Sequence, residues 1–252
     1  MPKGVIMTSK VIEVSKKEKL VGLIKLARPQ FLIAYFIVAL GGLIMGLKEN
    51  YLIDLPMAIF AIFTVLLSAI GVHFRDEAGD WASGYDKEIG GMGIIREGIF
   101  AEESVQTWGR IFSTITIFLG ILQALVLLII MNQGILFLIG IPIIIMIIFV
   151  NFLTEEIPLG HEIITAGSYF ATFYWVFFSQ NWILTPSILF FSFFLYLIVF
   201  ALIPYQDIAD LEADAKTGKK TLASKLGLDG VGHLAIFIGL LSFLLLYVAL
   251  II

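Results

Sequence analysis

The feature that most constrains this chain is a succession of long apolar runs. A helix crossing a bilayer needs about 20 mainly apolar residues. Windows of that kind occur at 29–46, 55–74, 108–130, 134–153, 158–178, 184–204 and 232–252. Of the 252 residues, 60% are hydrophobic and only 14% charged, with 23 Gly and 22 Phe. A soluble domain of this size carries about 25% charged residues, so an ordinary cytosolic enzyme is excluded. The pattern predicts an all-α, polytopic membrane helix bundle with about seven spans. The absence of Cys excludes disulfides, thiolate metal sites and cysteine nucleophiles. Three widely separated His (His73, His161, His233) do not suggest a histidine metal cluster.

Charge distribution gives the expected orientation, because Lys and Arg collect in cytoplasmic loops. With seven spans and the N-terminus inside, only Lys48 of the 16 Lys and Arg falls on the outer side. Of 20 acidic residues, only Glu49 and Asp54 fall there. The N-terminus, with a basic segment over 1–24, and the loops after the second and sixth spans are therefore expected in the cytoplasm of a cell-membrane protein. Any chemistry should face that side.

Two acidic constellations stand in those loops. Asp76, Glu77, Asp80 and Asp86 follow the second span, and Asp207, Asp210, Glu212 and Asp214 follow the sixth. Asp76 and Asp80 share a face if the second span continues as a helix, and Gly84 then permits a break. Asp207, Asp210 and Asp214 also share one face, with Glu212 pointing away. Like charges stacked this way repel, and hard divalent cations such as Mg²⁺ relieve that repulsion. Two such clusters on facing helices can hold a diphosphate through bridging metals. Lys87, Arg96, Lys219 and Lys220 lie nearby in sequence as partners for phosphate oxygens. The plain alternative is that both clusters are solvated loops. Arg28 precedes Asp76 by 48 residues and Glu162 precedes Asp210 by 48, a faint sign of two related halves.

These residues resemble the UbiA superfamily of intramembrane prenyltransferases. Asp207-xx-Asp210-x-Glu212-x-Asp214-xxx-Gly218-Lys219-Lys220-Thr221-Leu222 is similar to the family's second aspartate motif and its tail. Asp80, Gly84 and Asp86 match its first motif, Leu26-Ala27-Arg28-Pro29 resembles the opening of its first helix, and Gly90 to Gly98 resembles a loop of the menaquinone-type (dihydroxynaphthoate) branch. The resemblance covers most of residues 25–230. Asp76 stands where the family usually has Asn. The family usually has nine spans, so either C-terminal spans are missing here or the bundle is a smaller one, within a single domain over 1–252.

The resemblance implies Mg²⁺-dependent transfer of a prenyl group from a polyprenyl diphosphate to a lipid-soluble aromatic or quinone-precursor acceptor, inside the bilayer. It implies Asp76, Asp80, Asp86, Asp207, Asp210 and Asp214 as metal ligands. Asp76, Asp80, Asp210, Asp214 and Glu162 are then the catalytic candidates, with Glu162 orienting or deprotonating the acceptor. Lys87, Arg96, Lys219, Lys220 and Arg28 would bind the donor. Tyr169 and Phe173 would line the cavity, although packing is the better account of such aromatics. Expected partners are the diphosphate donor, the acceptor and the lipid bilayer, with no nucleic acid. An archaeal-type ether-lipid (geranylgeranylglyceryl phosphate) prenyltransferase, a cation-coupled transporter and a non-catalytic membrane protein are the rival readings.

Overall fold

A computed structural model of the chain describes residues 14–50, 54–84, 92–131, 160–181, 183–212, 216 and 221–252. Seven α-helices and no strand occur among them. They are α1 Lys16–Leu26, α2 Pro29–Asn50, α3 Leu55–Ser83, α4 Glu102–Met131, α5 Gly160–Phe178, α6 Pro186–Asp207 and α7 Leu222–Ile251, with a 3₁₀ turn at Ile208–Asp210. Five of them (α2, α3, α4, α6 and α7) are long and apolar enough to cross a membrane. Ile37, Phe118 and Leu240 are exposed on their outer faces. Acyl chains cover such side chains without cost, whereas water would not. The chain is an integral membrane protein. The predicted span 134–153 lies outside the described residues.

Local chemistry sets most of the helix limits. At the start of α1, Ser15 Oγ accepts from the Glu18 N–H at 3.2 Å while the Ser15 N–H donates to Glu18 Oε2 at 2.8 Å, a reciprocal cap. Pro29 opens α2, its fixed φ already helical. Asp54 Oδ1 accepts from the Met57 N–H at 3.0 Å to begin α3. That helix has 29 residues, about 43 Å, so it outruns a hydrocarbon layer of about 30 Å. It carries Asp76 and Asp80 on its last turns and stops at Gly84, whose φ of 91° is open to glycine. Helix α7 begins ten residues before the predicted span. Thr221 caps it, and Gly227 (φ 64°, ψ −179°) kinks it between the cap and the apolar run. A hydropathy window registers only the stretch beyond that kink.

Contacts between distant residues define the arrangement. Tyr35 meets Ser168 and Tyr169, and an added Cβ at Gly42 or Gly46 would run into Phe173 and Phe177 or Gln180. Both series ascend together, so α2 and α5 are parallel. Arg28 meets Asp76 and Phe31 meets His73, making α3 antiparallel to α2. Gly71 lies against Ser113 and Gly109 against Arg75, so α4 turns back along α3. In the second half, Tyr174 bonds Ser192, while Ser187 bonds the Ala249 carbonyl and Phe194 meets Phe243. Triplets α2–α3–α4 and α5–α6–α7 thus run in the same alternating sense, joined at their centre by α2 against α5.

Small residues make this approach possible. In lipid, helices associate through close packing rather than hydrophobic drive, and Gly42 lets the α5 backbone at Phe173 and Phe177 come close to the α2 backbone. The main core holds Tyr35, Val65, Tyr169, Phe173 and Phe177. A second, smaller core of Leu26, Phe74, Ala78, Ile94 and Val105 lies beneath α1 and the 92–100 loop.

Candidate functional site

The antiparallel and parallel contacts gather one set of ends together: the start of α2, the end of α3, the start of α5, the end of α6 and the start of α7. The opposite end holds Asp54, whose N–H donates to Gln180 Oε1 at 3.0 Å. Both acidic stretches therefore stand at the Arg28 end, one on α3 and one following α6.

Arg28 is the elbow between α1 and α2. It takes a left-handed backbone (φ 48°), uncommon for a residue other than glycine. Its N–H donates to the Lys25 carbonyl and its own carbonyl accepts from Phe31, both at 2.9 Å. The backbone is held on both sides and the guanidinium is aimed at α3. There Nη1 lies 2.8 Å from Asp76 Oδ2 and Nη2 lies 3.7 Å from Glu77 Oε2. Glu77 is 2% exposed, so a cation beside it offsets a large desolvation cost. Asp80 stands one turn beyond Asp76 on the same face of α3.

Neither His73 nor Glu77 is among the expected site residues, although Glu77 belongs to the first acidic constellation. His73 is 8% exposed, with its ring 5.4 Å from that of Phe31. A sequence signal was available: positions 73, 76, 77 and 80 recur at i, i+3, i+4 and i+7, which is one continuous face of α3. Deeper along the same seam, the Tyr35 hydroxyl pairs with Ser168 Oγ at 2.6 Å, and the Tyr35 and Tyr169 rings stack at 4.3 Å.

The second stretch begins with Asp207, buried at the end of α6. The backbone then tightens into the 3₁₀ turn that ends at Asp210. Glu212 points outward, pairing with Lys216 at 3.0 Å. Glu162 is 0% exposed, and its Oε1 accepts from the Leu222 N–H. A carboxylate at a helix N-terminus satisfies an otherwise unbonded amide and the positive end of the dipole. The start of α5 is thereby tied to the start of α7. Among the described residues, Glu162 Oε2 has no hydrogen-bond partner.

Other expected site residues are placed as follows. Arg96 is exposed on the 92–100 loop, which Ile94 plugs into the smaller core. Phe173 is fully buried against α2, and Tyr169 lies in the same α2–α5 packing. Asp86, Lys87, Asp214, Lys219 and Lys220 lie outside the described residues, as does the Asp210 side chain. No protein-family model, no curated protein and no solved structure matches the chain.

Proposed function

We propose that this membrane protein is an Mg²⁺-dependent prenyltransferase, moving a prenyl group from a polyprenyl diphosphate to a lipid-soluble aromatic or quinone-precursor acceptor. The Arg28 end is taken as cytoplasmic, following the bias of Lys and Arg. The observation that carries this reading is the placement of both acidic stretches at the same end of the bundle. The bias of Lys and Arg already led to the expectation that the loops after the second and sixth spans share one side.

The donor set suits a hard cation. Among the described residues, no group of three or more His, Asp or Glu converges as a metal cage. Magnesium needs less, since one or two carboxylates suffice when phosphate oxygens and water complete the octahedron. Asp76 and Asp80, one turn apart on α3, supply that much. When bound, Mg²⁺ stabilises charge on the departing diphosphate. Arg28 balances Asp76 and Glu77, so the acidic face survives without full self-repulsion. Asp207 and Asp210 supply the corresponding carboxylates from α6 and its 3₁₀ turn. Glu162 holds the N-terminus of α7 through the Leu222 N–H. In the reaction the allylic C–O bond breaks and diphosphate leaves with the bonding electrons. The acceptor carbon forms the new C–C bond and gives up its proton. The donor's apolar tail lies among helices or in lipid, away from water.

The test is turnover of a radiolabelled prenyl diphosphate by the purified protein, with Mg²⁺ or with chelator, and mass spectrometry of products from a panel of acceptors. Turnover should need Mg²⁺, and Asp80→Ala and Asp210→Ala should each lower it about a hundredfold, the effect of several kcal/mol in the barrier. No product from any donor, or alanine variants at the parent rate, overturns the reading. A prenylated glycerol phosphate instead of an aromatic product would move the acceptor to the ether-lipid class.

A further inference from the structure

We propose that α1 lies flat in the membrane interface and docks on anionic phospholipid headgroups, independently of the chemistry at the Arg28 end. With 11 residues, α1 is about 16 Å long, too short to cross the bilayer. One side of it is committed to protein. Gly22 and Leu26 are buried, and an added Cβ at Gly22 would lie 3.0 Å from Ile99 Cγ2 and 3.1 Å from Phe100 Cε2. The other side presents Leu20, Val21 and Ile24, which are 59%, 43% and 52% exposed. Three large apolar side chains grouped opposite the packed face need a cover. The membrane that already surrounds α2 supplies it, because the exposed face of the next helix continues with Ile33 and Ile37.

Charge selects the lipid. Lys16, Lys17, Lys19 and Lys25 are exposed along α1, and none makes an ion pair with another described residue. The only acidic residue of the helix, Glu18, turns back to bond the Ser15 N–H. Long lysine stems can lie along the apolar surface while their ammonium groups reach the headgroups. A basic helix with an apolar face is the form that binds an anionic leaflet. The Arg28 elbow, followed directly by Pro29, sets α1 at an angle to α2 instead of extending it.

The native chain has no cysteine, so a single Ile24→Cys substitution takes one environment-sensitive fluorophore on an otherwise full chain. The labelled protein is placed in nanodiscs of phosphatidylcholine alone, or of phosphatidylcholine with phosphatidylglycerol, each containing acyl-brominated lipid. The Ile24 label should be quenched in both, and more strongly with phosphatidylglycerol. Replacing Lys16, Lys17, Lys19 and Lys25 by Gln should abolish the phosphatidylglycerol increment, while replacing them by Arg should keep it. A label that bromolipid does not quench would mean that water or another protein covers the face, and the proposal fails. It fails equally if the increment survives in the Gln variant or disappears in the Arg variant.

Discussion

The Arg28 guanidinium lies 2.8 Å from the Asp76 carboxylate, tying the elbow before the first span to the last turns of α3. The same guanidinium reaches toward buried Glu77 at 3.7 Å. One cation thus serves two adjacent carboxylates, of which the deeper has the greater need. The partly exposed Asp76 carboxylate is accommodated through this contact.

Removing the cation should therefore cost more than removing the outer anion. Arg28→Ala withdraws the positive charge from a Glu77 that is 2% exposed, and should lower stability by about 3 kcal/mol. The Asp76 side chain is 37% exposed, so Asp76→Asn should cost about 1 kcal/mol or less. Thermal unfolding in detergent, closed as a double-mutant cycle, should show coupling above about 0.5 kcal/mol. Zero coupling would mean that the pair contributes nothing to the fold.

Close packing of α2 on α5 predicts opposite outcomes for two glycine substitutions. Gly42→Ala drives a Cβ into the Phe173 carbonyl oxygen and should destabilise by about 3 kcal/mol. Gly79 is exposed within α3, with nothing within 4 Å of an added Cβ. Gly79→Ala should stabilise by about 0.5–1 kcal/mol. Melting temperatures of the two variants decide the matter, and equal shifts would refute the parallel α2–α5 contact.

Glu162 is predicted to act first as a cap. Glu162→Ala leaves the Leu222 N–H without its buried carboxylate and should cost about 2 kcal/mol. Glu162→Gln keeps an oxygen acceptor and should cost less. Hydrogen exchange should accelerate at Leu222 to Ser224 in the Ala variant. If exchange there stayed at the parent rate while turnover disappeared, Glu162 would belong to the chemistry and not to the anchoring of α7.

The start of α1 should respond to acid. The hydrogen bonds to Ser15 hold the Glu18 carboxyl below its ordinary value of 4.5. A folded-state pKa lowered in this way gives stability that is complete above the unfolded value and is lost as pH falls through the folded one. Protection factors of the α1 amides, referred to the intrinsic exchange rate at each pH, should therefore fall on acidification below the ordinary glutamate value of 4.5, and Glu18→Gln should remove that step. An unchanged pH profile in the variant would assign the step to another group.

The sequence by itself determined the apolar bodies of the long helices and some of the places where they stop. About 20 apolar residues must form a helix in lipid whatever surrounds them, so 29–46 and 55–74 were legible as the bodies of α2 and α3. Caps such as Ser15 with Glu18, and the stop at Gly84, act over three or four residues and could be read in the same way. The shared face of Asp76 and Asp80 needed only the helical period. Tertiary structure decided which helices touch. Lipid gives no hydrophobic preference for one neighbour over another, so the choice rests on matched small residues and single polar contacts far apart in sequence. Gly42 against Phe173, Tyr35 against Ser168 and Arg28 against Asp76 are of this kind, and no local pattern announces them. Glu162 shows the difference most clearly. Its charge near the start of a span marked it as a functional candidate, but only the fold placed the Leu222 amide in its reach, sixty residues away in the chain.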